Sequence, residues 1–414
     1  MIIVDEKKIG GDKSISHRVL IVASLISGDS KIKNISLGDD VRTTIRCLKK
    51  CNIDIHQKRN QTTVNGGKLV APSTVLNCRN SGTTARMLLG LLAGQDIPAK
   101  LIGDKSLIKR PMKRIIMPLI NSGANLISNN NKLPIEMKSG IQKPIIYNSE
   151  TKSSQVISSL IFAGMSKDVF SKILFNDEIR NHTELFLQYL KFNFQYKNKF
   201  ILIKKTKPVK GFNISIPGDM SNASFIIGAS LLIPGSKIKL SNILYNKKRN
   251  GFLNAVIKMG AKVSISNIKP FYSECSCDVV SEYSPNLKSL KINKKNIIPL
   301  IDEVPILSIL ATQAKGKTII NDADELRMKE SDRLFAISQN LTNMGANVVE
   351  GDDNLIIKGG NKLHDTTIIN YDDHRIAMAF VILKLFATGK VDKSHKKIIN
   401  VSFPNFYNIL NQLL

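Results

Sequence analysis

The sequence predicts an α/β protein of two lobes, each assembled from three copies of one helix–strand unit. Three observations lead there. A helix-end pattern recurs along the chain, and 414 residues are too many for one ordinary core. A hydrophobic content of 43% against 22% charged residues matches a folded globular chain.

The repeat comes first. The stretch Leu119-Ile120-Asn121-Ser122-Gly123-Ala124-Asn125-Leu126-Ile127 reads as a helix end, a turn and the start of a strand. It returns as Ile257-Lys258-Met259-Gly260-Ala261-Lys262-Val263 and as Thr342-Asn343-Met344-Gly345-Ala346-Asn347-Val348-Val349, with weaker copies at 48–55 and 190–196. Glycine just past a helix supplies the left-handed residue that ends it, and the strand follows at once. Copies stand roughly 70 to 85 residues apart, except between the third and fourth and near the chain end. That spacing holds two helices and several strands, too large for a solenoid of small repeats and suited to two lobes of three units. A sixth helix over 406–414 is expected to close the chain without a trailing strand. A lobe boundary fits Ile216-Pro217-Gly218, where a strand meets a Pro-Gly turn. The polar segment 264–295 is expected to form surface hairpins and loops.

The net charge of +27 suits either a nucleic-acid surface or a basic cleft for small polyanions. The chain is also rich in Ile, Lys and Asn together, as A/T-rich coding produces, so most of the lysine charge is read as solvated surface. Arginine is more telling. Only 13 of the 60 basic residues are Arg, a planar fork that lysine does not replace where anions are bound bidentately. About half of them fall inside the motifs below. Aromatic residues make up 6%, Trp is absent and no aromatics interleave with basic stripes, which argues against nucleic acid as a partner. The five cysteines lack C-x-x-C spacing, so reduced thiols and no metal site are expected. The first ten residues carry no signal core, and the apolar run 376–387, interrupted by Lys384, is short for a bilayer. A cytoplasmic protein with no membrane partner is expected.

Several segments share one design, a turn of Gly, Ser or Asp leading straight into an apolar helix. Backbone N–H groups at such a start, at the positive end of the helix dipole, seat phosphate or carboxylate. Gly11-Asp12-Lys13-Ser14-Ile15-Ser16-His17-Arg18 puts Ser14 and Arg18 on one helix face with Lys13 at the mouth. Asn80-Ser81-Gly82-Thr83 follows, where Gly82 lets a ligand approach the backbone. Lys109-Arg110-Pro111-Met112 places Arg110 before a helix with Pro at its first position, and Ser153-Ser154-Gln155 caps an apolar helix. Later, Lys329-Glu330-Ser331-Asp332-Arg333 reads as a helix with Lys329 and Arg333 on one face, and Asp372-Asp373-His374-Arg375 precedes another. Asp302-Glu303 interrupts an apolar run, where a buried carboxylate near cations is a candidate base.

Taken in this order, the segments 11–18, 80–83, 106–112, 153–155, 327–333 and 373–378 resemble the enolpyruvylshikimate-phosphate synthase family, the 3-phosphoshikimate 1-carboxyvinyltransferases. Residues 217–219 and 402–404 fit the same likeness. The resemblance implies a two-lobed inside-out α/β barrel, the enolpyruvyl transferase fold, each lobe of three βαβαββ-type repeats. It implies a first lobe over 12–216, a second over 1–11 and 217–414, and a cleft between them. The implied reaction moves the enolpyruvyl group of phosphoenolpyruvate to the 5-hydroxyl of shikimate 3-phosphate and releases phosphate, in the shikimate pathway of aromatic amino-acid synthesis. By the same resemblance, shikimate 3-phosphate is bound by Lys13, Ser14, Arg18, Ser153, Ser154, Gln155, Arg180, Asp302 and Lys329. Phosphoenolpyruvate is bound by Lys13, Gly82, Arg110, Gln155, Arg333 and Arg375. Asp302 is the implied proton acceptor, and Glu330 or Lys13 the donor. No metal or organic cofactor is implied, and a monomer is expected.

The chemistry agrees with that set. Two phosphates and two carboxylates bring on the order of five or six negative charges into one site, which several Arg and Lys must neutralise. Addition to C2 with protonation at C3, then loss of phosphate, needs an acid and a base but no redox group. Three positions depart from the family. Gly10 stands where Pro is usual, Val401 where some members have a Lys touching phosphoenolpyruvate, and Glu325 where one branch has Asn. Neither Val401 nor Glu325 is assigned to the site. The related transferase acting on UDP-N-acetylglucosamine usually carries a reactive Cys on a mobile loop, and no Cys lies near 107–111. Ligand groups on both sides of Pro217 predict that shikimate 3-phosphate draws the lobes together. Small-angle scattering should show a smaller radius of gyration with ligand, and an unchanged radius would count against closure.

Overall fold

The computed structural model describes all of the chain except residues 149–152, 176–178, 198–199 and 207–209. The described residues form two compact units, Asp12–Ile216 and Met1–Gly11 with Pro217–Leu414.

The repeated sequence pattern produces one repeated turn. Gly123, Gly260 and Gly345 have φ of 92°, 80° and 84°, and Asn52 and Lys191 take the same left-handed backbone at 66° and 56°. In each copy two N–H groups fold back over the helix end. Gly123 donates to the Ile120 carbonyl (2.8 Å) and Ala124 to Leu119 (3.0 Å), Gly345 to Thr342 (2.9 Å) and Ala346 to Leu341 (2.9 Å). These bonds satisfy carbonyls that the helix leaves orphaned. Strands Asn125–Ser128, Lys262–Phe271 and Asn347–Glu350 then begin two residues after the glycine. The weaker copies are weak because Asn and Lys carry a Cβ into a conformation that glycine adopts without cost.

Each full unit makes a four-stranded sheet in which a parallel edge strand joins a three-stranded antiparallel group. In Asp12–Ile216 there are three such sheets among the described residues, centred on the pairs Gly28–Lys33 with Gln61–Gly66, Ala99–Ile102 with Ile135–Ser139, and Ser171–Leu174 with Phe200–Ile203. The last strand of this unit, Asn213–Ser215, returns to pair in parallel with Gly28–Lys33. In the other unit the same edge position is filled by Ile2–Val4, parallel to Lys237–Tyr245 in register Ile2 to Ile238. That unit shows two sheets among its described residues. Its third repeat is helical only, with His374–Thr388 and Phe406–Leu410, so the expected closing helix is present and residues 359–373 form no strand. The hairpin expected in 264–295 is present, a long antiparallel pair of Lys262–Phe271 with Glu274–Glu282.

Helices that are apolar all round occupy the cores. Every residue of Met220–Leu232 and Val304–Ala311 is buried, as are nearly all of Lys13–Leu25, Gly82–Gly94 and Ser154–Gly164. Amphipathic helices such as Asp39–Lys50 lie outside them with charged residues outward. Two of the buried helices meet through glycine. A Cβ on Gly90 would lie 2.0 Å from the Ser159 carbonyl oxygen, and one on Gly94 2.7 Å from that of Ala163.

Gly260→Ala has open space for its methyl group and suffers only the left-handed backbone, so it should cost about 1 kcal/mol. Gly90→Ala must push two helices apart and should cost more. Urea unfolding midpoints measured on both variants test the ordering.

Candidate active site

The sequence reading treats helix starts as open seats for anions. The structure closes most of them with the chain's own side chains. Asp12 accepts from the Ile15 N–H (2.9 Å), Ser81 from Thr84 (3.2 Å), Asp332 from Phe335 (3.1 Å) and Asp373 from Arg375 (2.9 Å). A buried helix end cannot leave its N–H groups unsatisfied, and Asp or Ser at the cap is the usual remedy. The start of Ser154–Gly164 is different, since Ser153 makes no side-chain cap bond there. Anion binding must therefore rest mainly on side chains.

In Asp12–Ile216 these side chains gather around three buried helices. Lys13 pairs with Asp40 at 3.0 Å. Arg18, buried, donates to Thr183 Oγ1 (2.7 Å), Ser158 Oγ (2.9 Å) and the Ser14 carbonyl (2.8 Å). Between Lys13 and Arg18 on the chain, His17 is pushed down to about 3. Burial is the main cause, Asp40 opposes it, and Lys13 and Arg18 add to it. Gly82 lies where a Cβ would come within 3.0 Å of Arg86 Nη1 and 3.2 Å of Arg110 Nη1. Arg110 donates to Asn80 Oδ1 (2.6 Å), and Arg86 donates to Gln155 Oε1 (2.7 Å), whose amide in turn donates to Thr83 Oγ1 (2.8 Å). Arg180 is half-buried just before helix His182–Tyr189.

The second group lies in the other unit and centres on Asp302. Lys329 Nζ and Arg333 Nη1 each stand 3.4 Å from Asp302 Oδ1, and Arg249 Nη1 and Arg375 Nη2 stand 3.6 and 3.9 Å from Oδ2. Arg375 also donates to the Asp302 carbonyl (2.9 Å). Arg333, 1% exposed, binds Asp373 at 2.7 Å and Glu330 at 2.6 Å. Burial would weaken the proton on Arg333, but Asp373, Glu330 and Asp302 outweigh it and drive its pKa up. Burial likewise would raise Asp373, yet Arg333 beside it holds the carboxyl below its ordinary value. Glu303, fully buried, accepts from Ser221 and faces Arg375 at 3.5 Å and Arg249 at 4.0 Å. Among the described residues, Arg249, Lys329, Arg333 and Arg375 thus meet Asp219, Asp302, Glu303, Glu330 and Asp373.

Two local expectations are corrected. Lys329 and Arg333 do not share a helix face. Lys329 ends the 3₁₀ turn Asp324–Met328 in extended backbone, Asp332 is a cap, and Arg333 is the first helical residue. They reach the same carboxylate oxygen through a turn instead. Pro111 is not the first residue of a helix either, because Met112 caps Lys113–Asn121 and Arg110 follows the short turn Leu107–Lys109. Arg86, Arg249, Asp373 and Glu303 were not assigned to the site from sequence. Asp373 lies inside a quoted motif and Arg86 three residues past one, and Arg249 stands out only as an arginine after two lysines.

A sequence model described as EPSP synthase (3-phosphoshikimate 1-carboxyvinyltransferase) matches residues 3–410. A 3-phosphoshikimate 1-carboxyvinyltransferase from Oceanobacillus iheyensis is 39% identical over 412 residues, covering 98% of this chain and 96% of that protein. One from Persephonella marina is 36% identical, covering 99% and 96%. The solved EPSP synthase of Acinetobacter baumannii superposes with a TM-score of 0.84 at 28% identity, over 100% of this chain and 96% of the other. The enolpyruvyl transferase NikO of Streptomyces tendae, at 12% identity, shares the fold with a TM-score of 0.70 over 100% and 94%.

Asp373→Asn keeps a capping side chain but strips the buried Arg333 of its fully buried carboxylate partner, and should cost about 3 kcal/mol at pH 7. Because the folded-state value of Asp373 is depressed, its contribution is complete at neutral pH and is lost as pH falls through that value. Wild type should therefore lose more stability than the variant on acidification, as followed by urea titrations at several pH values.

Proposed function

The chain belongs to the EPSP synthase (3-phosphoshikimate 1-carboxyvinyltransferase) family, and we propose that the groups around Lys13 and around Asp302 are its working parts. The reaction is the transfer of enolpyruvyl from phosphoenolpyruvate to shikimate 3-phosphate in the shikimate pathway. In our assignment Lys13, Ser14, Arg18, Ser153, Ser154, Gln155, Arg180, Asp302 and Lys329 hold shikimate 3-phosphate. Lys13, Gly82, Arg110, Gln155, Arg333 and Arg375 hold phosphoenolpyruvate. The partners are these two small anions, and the chain acts as a cytoplasmic monomer without nucleic acid, membrane, metal or organic cofactor.

One observation carries the assignment of the base. Asp302 lies within 3.4 to 3.9 Å of Lys329, Arg333, Arg249 and Arg375, partly accessible while its neighbour Glu303 is fully buried. Cations at that distance stabilise the negative charge that develops on the hydroxyl oxygen as Asp302 takes its proton, while phosphate and carboxylate share the same guanidinium groups. Lys13 and Glu330 are the two candidates to deliver a proton to C3. The carboxyl groups around Arg333 and Arg375 hold these cations in place before ligand arrives, so binding exchanges one anion for another and little reorganisation is needed.

Phosphate release, followed with both substrates present and at a temperature where the variant is folded, should fall by about 10²- to 10⁴-fold in Asp302→Asn. Full activity in that variant would remove Asp302 from the role.

A further inference from the structure

A chain of buried hydroxyls runs from the Lys13 helix to the Gly82 helix. His17 Nδ1 lies 2.7 Å from Thr44 Oγ1, Thr44 Oγ1 lies 2.7 Å from Thr84 Oγ1, and Thr84 Oγ1 lies 2.7 Å from Ser81 Oγ. All four side chains are buried. The direction of such a chain is set at its end, because each hydroxyl has a single proton to give. His17 Nε2 has no hydrogen-bond partner among the described residues. A buried N–H without an acceptor costs more than a buried lone pair, so the favoured tautomer places the proton on Nδ1. His17 then donates to Thr44, Thr44 to Thr84, and Thr84 to Ser81. Ser81 Oγ already accepts from the Thr84 backbone N–H at 3.2 Å. With both lone pairs engaged, its own proton is left to donate, and it has no acceptor among the described residues. The competing acceptor for Thr84, the Asp40 carbonyl, is farther away at 3.2 Å.

We propose that His17, Thr44 and Thr84 are positioning residues whose directional hydrogen-bond chain makes the Ser81 hydroxyl a dedicated donor to the anion bound beside Gly82 and Arg110. This rests on the assignment of phosphoenolpyruvate to that place. The chemistry recognised is a phosphate or carboxylate oxygen, which accepts without having a proton to return. The neutral state of His17 suits the role. A protonated imidazole would set a third cation beside Lys13 and Arg18, whereas the neutral ring passes on orientation and no charge.

Steady-state kinetics on Thr44→Val, Ser81→Ala and the double variant test the proposal, with Thr44→Ser as the conservative control. Each single change should raise KM for phosphoenolpyruvate about tenfold, leave KM for shikimate 3-phosphate within about twofold, and change kcat less than KM. Because the chain acts through Ser81, the double variant should be no worse than Ser81→Ala, and Thr44→Ser should restore the wild-type value. Additive effects, equal changes for both substrates, or unaltered KM values in folded variants would overturn it. If Thr44→Val does not fold, Thr84→Val breaks the next link and is read in the same way. Wild-type enzyme lacking transferase activity would instead overturn the assignment of function itself.

Discussion

Burying Arg333 is the constraint from which the rest of the site follows. A guanidinium taken fully out of water is tolerable only with carboxylates at hydrogen-bonding distance, and Asp373 and Glu330 supply them. Asp373 in turn caps the helix His374–Thr388, so the counter-charge of one helix start is the cap of another. Arg375, one turn-position further on, is thereby aimed at Asp302 and Glu303. Arg249 completes the arrangement from behind, against Asp219, Asp302 and Glu303. Removing any member leaves a buried charge exposed to its own desolvation cost. That mutual dependence fixes distances more tightly than any single bond would.

The other unit solves a similar problem with hydroxyls. Arg18 is oriented by Thr183, Ser158 and the Ser14 carbonyl, and Arg110 by Asn80. Lys13 pairs with Asp40.

Much of this was legible in the sequence, for identifiable reasons. The repeat could be read because a left-handed residue after a helix writes itself as glycine at 123, 260 and 345, and it faded where Asn52 and Lys191 accept the strain. The arginines could be read because guanidinium geometry resists replacement by lysine, even in a chain so rich in lysine. The state of the helix starts could not. Asp12, Ser81 and Asp373 look the same in sequence whether they cap a helix or flag a vacant anion seat, and only burial decides. The spacing from Lys329 to Arg333 fits a helix, but it equally fits a turn in which Asp332 caps the next one. Arg249 was hidden because 247–250 reads as exposed basic surface, and its burial is set by helices far away in sequence.

The edge strand Ile2–Val4 carries a consequence for biosynthesis. It leaves the ribosome ahead of Asp12–Ile216, yet its partner Lys237–Tyr245 is translated only after all of that unit. The intervening unit holds every strand of its own sheets, including the returning Asn213–Ser215, and can mature during elongation. Ile2–Val4 must meanwhile wait for that partner, shielded by brevity and by Asp5, Glu6, Lys7 and Lys8 next to it. Of the two units, Asp12–Ile216 can therefore be completed first, and the unit that holds Ile2–Val4 follows it.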